Sequence, residues 1–245
     1  MPDSKNTRLS LSLPIAGGET LPAILQLPAA SNRIAAVLLL HGFTSRKERM
    51  ADSIGQALLA KSVGSLAIDL PLHGSRDAGI EGLSFRNPLA LVQQWQLAIR
   101  EANAAIQYLA QHAAVDSNRI GIAGYSLGAY LATTIAGSNT SIRAVALAAG
   151  GDLPTQTPLA SLVRSFADPQ RSVRALNGRP LLMINGRFDR TIRPEQANAL
   201  FAAAGEPKEL RWYDGGHWPP QSAIDTVASW LAERLKTPSA HSRMA

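Results

Sequence analysis

The sequence contains no cysteine, which excludes both a disulfide framework and a thiol nucleophile. It also lacks any apolar run approaching the ~20 residues that cross a bilayer. Its polar start, Met-Pro-Asp-Ser-Lys-Asn-Thr-Arg, has no apolar centre of the kind a secretory signal needs. A soluble, cytoplasmic protein with no membrane partner is the expectation. Aromatic residues are scarce, at 5%, and the basic residues are mostly arginines spread along the chain. A nucleic-acid binder clusters its cations and interleaves them with exposed aromatics, so the net charge of +6 is not read as a nucleic-acid signal. Asp69 and His73 are close enough in sequence to suggest ligands, but no further clustered His or Cys joins them. No metal and no cofactor are expected.

What is present is a globular composition, 46% hydrophobic and 17% charged over 245 residues. A chain of this length buries roughly three quarters of its unfolded surface. Residues 8 to 13 alternate polar and apolar, and 19 to 27 follow a Gly-Gly turn, which predicts an antiparallel hairpin; Pro22 and Pro28 place it at a sheet edge. Ile34 to Leu40 form an unbroken apolar run, as a strand buried on both faces requires. Ser45 and Glu48 have capping-box spacing, with a helix over 46 to 61 that Gly64 closes. Further strands are predicted at 65–70, 120–123, 142–148, 180–185 and 209–213. Helices are predicted from Asn87-Pro88 to about Leu109, from Leu127 to Ile135, over 194–204, and through Ile224 to Leu235. Strands alternating with helices imply right-handed parallel crossovers, and hence a doubly wound, mostly parallel α/β sheet forming one domain. Residues 152 to 178 break the alternation and read as a small lid-like insertion with one short helix around Leu159 to Phe166. The tail over 237–245 reads as disordered.

The chemistry centres on Gly124-Tyr-Ser-Leu-Gly128. Its glycines permit a sharp strand-to-helix bend that exposes the Ser126 hydroxyl; the plainer alternative is a serine that caps the following helix. A serine needs a base to take its proton and an acid to orient that base. In open parallel sheets ligands bind beyond the carboxyl ends of the strands. The loops there carry Phe43, His73, Ser126, Asp152, Asp189 and His217. Of the five histidines, only His217 follows both the serine and a strand-end acid, so it is the candidate base. Asp189, just beyond a clear strand, is preferred over Asp152 as the acid. The N–H groups of Leu127 and Phe43 are candidate oxyanion donors, each worth ~3 kcal/mol of barrier. Tyr125, Phe166, Phe188 and Trp218, with Phe43 and His73, are candidate walls of a substrate pocket.

Together, His41-Gly-Phe43, Asp69-Leu-Pro-Leu-His-Gly-Ser75, the Ser126 pentapeptide, Gly186-Arg-Phe-Asp189 and Gly216-His217 resemble the α/β-hydrolase superfamily. The likeness is greatest to its compact dienelactone-hydrolase-like and prolyl-oligopeptidase-like serine esterase branch and spans about residues 20 to 236. It implies a Ser126-His217-Asp189 triad and an acyl-enzyme intermediate. The nucleophile is serine where dienelactone hydrolases use cysteine, and there is no large cap domain; both features argue against that particular substrate. The expected function is hydrolysis of a small-molecule carboxylic ester. A thioesterase or acyltransferase, an amide or peptide hydrolase, and a non-catalytic ligand-binding protein are the alternatives. Arginines between 164 and 193 raise the option of an anionic substrate, set against a simple solvated basic face. Oligomeric state is not readable.

Overall fold

The computed structural model describes residues 6–15, 19–30, 32–76, 87–154 and 160–236. Among these, eight strands form one sheet: β1 (Thr7–Pro14), β2 (Thr20–Leu27), β3 (Ile34–Leu40), β4 (Gly64–Ile68), β5 (Val115–Tyr125), β6 (Ile142–Ala148), β7 (Leu181–Gly186) and β8 (Lys208–Tyr213). Their order is β1-β2-β4-β3-β5-β6-β7-β8. β2 is antiparallel to both β1 and β4, and every other pairing is parallel. The helices are α1 (Lys47–Met50), continued by a π-helical turn (Ala51–Gly55) into α2 (Gln56–Leu59), then α3 (Pro88–Gln111), α4 (Leu127–Ser138), α5 (Ala160–Phe166), α6 (Pro169–Arg174), α7 (Pro194–Ala203) and α8 (Gln221–Lys236). None is long and apolar enough to cross a membrane.

β3 shows why this is a doubly covered sheet. All seven of its residues are buried. Successive side chains leave a strand on opposite faces: Ile34, Ala36, Leu38 and Leu40 join the core built with α3, α4, α6 and α7, whereas Ala35, Val37 and Leu39 join the core built with α1, α2 and α8. Each fully buried leucine contributes about 2 kcal/mol. The chain leaves β3 toward β4 and leaves β5 toward β6, in opposite directions along the sheet. That reversal opens a crevice between the ends of β3 and β5, where ligands of such sheets bind.

Several local expectations are corrected. The hairpin of β1 and β2 forms, but β2 is internal, paired with β4 over Ala23–Gln26. Pro22 is tolerated there because its carbonyl accepts from Asp69 N–H at 3.0 Å. In an extended residue N–H and C=O point the same way, so its missing donor falls where β4 has run out. The Ser45 capping box is absent: Arg46 is the N-cap and makes no side-chain cap bond. Lys47 N–H instead donates to Asp69 Oδ1 at 2.8 Å, an acceptor brought in by another strand end. α2 ends at Leu59 with Ala60 as its C-cap, the chain turns through Ser62 at φ 60°, and Gly64 already belongs to β4. Residues 152 to 178 hold a second helix, α6, too short for a periodic pattern. It is capped by Asp168, whose side chain accepts from Gln170 and Arg171 N–H. Asn87 caps α3 as expected, accepting from Ala90 N–H at 3.2 Å. The tail over 237–245 and the predicted helical position Leu159 lie outside the described residues.

Candidate active site

Ser126 sits between β5 and α4 with φ 52° and ψ −112°, a backbone conformation that costs a non-glycine residue about 1–3 kcal/mol. The bend is made tight by two close approaches. A Cβ on Gly124 would overlap the Gly128 carbonyl, and one on Gly128 would overlap the Leu40 carbonyl at the end of β3. Only hydrogen fits at either position, so α4 can start directly against the sheet. Although Ser126 occupies the N-cap, its side chain makes no capping bond. Its Oγ lies 3.0 Å from His217 Nε2.

His217 Nδ1 lies 2.8 Å from Asp189 Oδ2. A carboxylate only accepts, so the proton belongs on Nδ1 and the Nε2 lone pair faces the serine. Asp189 is fully enclosed and immobilised: its Oδ1 accepts from Thr191 N–H at 2.8 Å and Ile192 N–H at 3.0 Å. Asp152, the alternative acid, is turned elsewhere and accepts from Arg164 at 2.8 Å and Gln170 at 2.7 Å.

The loop that carries His217 is held by two tyrosines. Tyr213 Oη donates toward the Gly216 and His217 carbonyls at 3.0 and 3.3 Å, and Tyr125 Oη toward the His217 carbonyl at 3.3 Å. Burial, followed by the nearby Asp189 charge, pushes the Tyr213 phenol up to about 12. Burial likewise raises Tyr125, with Tyr213 and Asp189 adding to it. Both therefore remain neutral donors. Tyr213 was missed in the sequence, although its position at the last residue of β8 was a usable signal.

The candidate pocket residues divide between two cavities. Phe43, Leu127, His73 and Phe166 line one of about 270 Å³, together with Trp95 and Leu131. Tyr125 and Trp218 line another of about 210 Å³, with Met50, Ile54 and Val227. The single pocket expected from sequence is thus corrected. Tyr125 packs with the core on the α8 face of the sheet, whereas Leu127 packs against the opposite core. Trp218, 57% exposed, stacks on Tyr125 at 5.2 Å between ring centroids and carries the Arg49 guanidinium 4.9 Å from its own. Phe188 is 69% exposed and lines neither cavity.

Two buried polar groups shape the crevice. His41 Nε2 accepts from Leu70 N–H at 3.0 Å and Nδ1 donates to the Gly42 carbonyl at 2.8 Å, tying the loop after β3 to the loop after β4. Burial holds this ring neutral, with its pKa lowered to about 4. Asp69 accepts from the Lys47 ammonium at 2.8 Å and from Ser75 N–H and Oγ at 3.0 and 2.8 Å. Burial alone would raise this carboxyl; the Lys47 and Ser75 bonds outweigh it and hold the pKa below the ordinary carboxylate value. These bonds occupy Asp69 with protein partners and fasten the loop that carries His73.

The sequence matches the model of the alpha/beta hydrolase family over residues 37–184. A search of curated proteins finds no match. Among solved structures, a cold-adapted esterase from an Arctic intertidal metagenomic library in complex with PEG is similar at 20% identity and a TM-score of 0.73, covering 96% of each chain. A Thermus thermophilus protein is similar at 22% identity and a TM-score of 0.72, covering 94% of this chain and 99% of that one. Acetyl xylan esterase 1 from Thermoanaerobacterium sp. is similar at 16% identity and a TM-score of 0.71, covering 95% of this chain and 88% of that one. At such identities these structures establish a shared fold, while the family match spans more than half of the sequence. The chain belongs to the alpha/beta hydrolase family.

Proposed function

We propose that the chain hydrolyses a carboxylic ester through an acyl-enzyme intermediate. The observation that carries this reading is the unbroken hydrogen-bond chain from Asp189 through His217 to Ser126, at 2.8 and 3.0 Å. Asp189 fixes the Nδ1–H tautomer and stabilises the imidazolium that forms. Nε2 takes the Ser126 proton as Oγ attacks the ester carbonyl, then returns it to the departing alkoxide. Water repeats the sequence to release the acid. The N–H groups of Phe43 and Leu127 are the candidate oxyanion donors, and Leu127, in the first turn of α4, has no intrahelical acceptor to occupy it.

The esterase activity in the names of two similar structures supports an ester over a thioester or an amide. An uncharged substrate is favoured, because three of the seven arginines of the 164–193 segment are already engaged. Arg164 pairs with Asp152 and Asp168, Arg187 with Asp214, and Arg179 donates to the carbonyls of Ala175, Leu176, Asn139 and Ile142. A fluorophosphonate probe should label Ser126 alone. Ser126→Ala should abolish labelling and lower kcat on a short-chain chromogenic ester by roughly 10⁴-fold or more with Tm unchanged. Full turnover by that variant would refute the assignment.

A further inference from the structure

The cavity of about 210 Å³ on the α8 face of the sheet has no part in the chemistry proposed above, and close-packed interiors hold few voids of that size. Ala123 and Ala146 of the sheet form its floor. Met50 and Ile54 wall it on one side and Val227 of α8 on the other, and all five are buried. Ile54 belongs to the π-helical turn Ala51–Gly55, a rare local widening of a helix that recurs at functional sites. Apolar cavities exclude water and admit apolar guests. At the ~30 Å³ that a water molecule takes up in the liquid, this one has room for about seven non-hydrogen atoms.

The rim has a different chemistry. Arg49 and Trp218 line it, and both are exposed. The Arg49 guanidinium sits over the Trp218 ring, a contact that attracts the cation without neutralising it. Among the described residues no Asp or Glu lies within ion-pair distance of Arg49. A guanidinium is a planar fork of N–H donors that matches a carboxylate. An apolar hole with one uncommitted cation at its mouth fits an aliphatic tail that ends in one anionic group. We propose that this cavity binds a medium-chain monocarboxylate of about the length of octanoate, its tail between the π-helical turn and α8 and its head on Arg49. The site also adjoins His217. Tyr125, part of its wall, has its ring centroid 5.2 Å from those of both His217 and Trp218, and its Oη donates toward the His217 carbonyl at 3.3 Å. A Cβ on Gly42 would lie 2.7 Å from Tyr125 Cδ1, so the loop after β3 backs the ring and limits its retreat. A tail packed on Tyr125 and Trp218 therefore reaches His217 through direct contacts, which makes the acid an effector of the His217 loop.

The test is an NMR titration of the intact protein, labelled with carbon-13 at its methionine methyl groups, with sodium octanoate. Met50 reports on the cavity wall, and Met183, buried in the opposite core, is the control. Octanoate should shift the Met50 methyl resonance saturably and leave that of Met183 in place. The His217 Cε1–H resonance should move with the same dissociation constant. Hexanoate, two methylenes shorter, should bind about ten-fold more weakly. Octylammonium, with an equal tail and the opposite charge, should also bind at least about ten-fold more weakly, and in Arg49→Gln the two ligands should come within about three-fold of each other. A Met50 resonance that ignores octanoate would overturn the site. Equal binding of octanoate and octylammonium to the wild type would overturn the carboxylate in favour of a purely apolar guest. A Met50 response without a His217 response would overturn the coupling. The readout is binding alone, so the outcome stands whether or not the chain cleaves an ester.

Discussion

Ser126 pays for its exposure with backbone strain, and the strain is measurable apart from the chemistry. Alanine and glycine both remove the hydroxyl, but only glycine has ready access to φ 52°. Ser126→Gly should therefore be more stable than Ser126→Ala by about 1–2 kcal/mol in urea denaturation, with both inactive. Equal stabilities would show that the bend is unstrained. His41 carries a different signature. Its folded pKa lies near 4, below the ordinary 6.5, so the unfolded chain takes up a proton that the folded one refuses. The stability this confers is present above pH 6.5 and is lost as pH falls toward 4. Between pH 7 and pH 5 the loss is about 2 kcal/mol. His41→Asn should flatten the dependence of stability on pH across that window, whatever its stability at pH 7. An unchanged slope would remove His41 as the cause.

The Lys47–Asp69 pair links three elements, since Asp69 follows β4, Lys47 opens α1 and Ser75 lies in the short turn at Gly74–Arg76. Their side chains are 9% and 0% exposed, so removing one charge strands the other. Asp69→Asn should cost about 3 kcal/mol, because among the described residues Lys47 then retains Glu48 alone, at 2.9 Å, as an ion partner. The variant should also loosen the loop bearing His73, measured as faster amide hydrogen exchange over residues 70–76. Stability and exchange both at wild-type levels would show the pair to be dispensable. The sign with pH follows from the two shifts. Asp69, with its pKa lowered, stabilises above its ordinary value and loses that contribution as pH falls through its folded value. In Lys47, burial opposes the charge, but Asp69 and Glu48 outweigh it and raise the pKa, so its contribution persists below its ordinary value and is lost as pH rises past the folded one. None of this was legible in the Ser45-to-Glu48 spacing, which predicted a local cap: the acceptor that won lies 22 residues away.

Across the whole molecule, a net charge of +6 suggests attraction of anions, but Arg164 and Arg187 of the 164–193 segment are already paired with Asp152, Asp168 and Asp214. Matched neutral and anionic esters should therefore have kcat/KM ratios that change less than about three-fold between low and high salt, where a cationic cleft would lose far more. A steep salt dependence confined to the anionic ester would restore the charged-substrate option.

The linear pattern was sufficient for the alternation of strands and helices, the doubly covered sheet and the pentapeptide around Ser126. Those features are written in short-range periodicity and in glycines whose Cβ would collide with nearby backbone. It also brought Asp189 and His217 forward as candidates, because each follows a strand and strand ends share one edge. Other features depended on packing between residues far apart in sequence: the internal position of β2, Asp69 as the cap of α1, and Tyr213 as a brace for the His217 loop. The division of the candidate aromatic residues between two cavities is of the same kind. Which side of a sheet a strand-end side chain reaches is decided by pleat and register, and which side chains line one cavity is decided by where α3 crosses the sheet. Neither quantity is local, so only the folded chain could fix them.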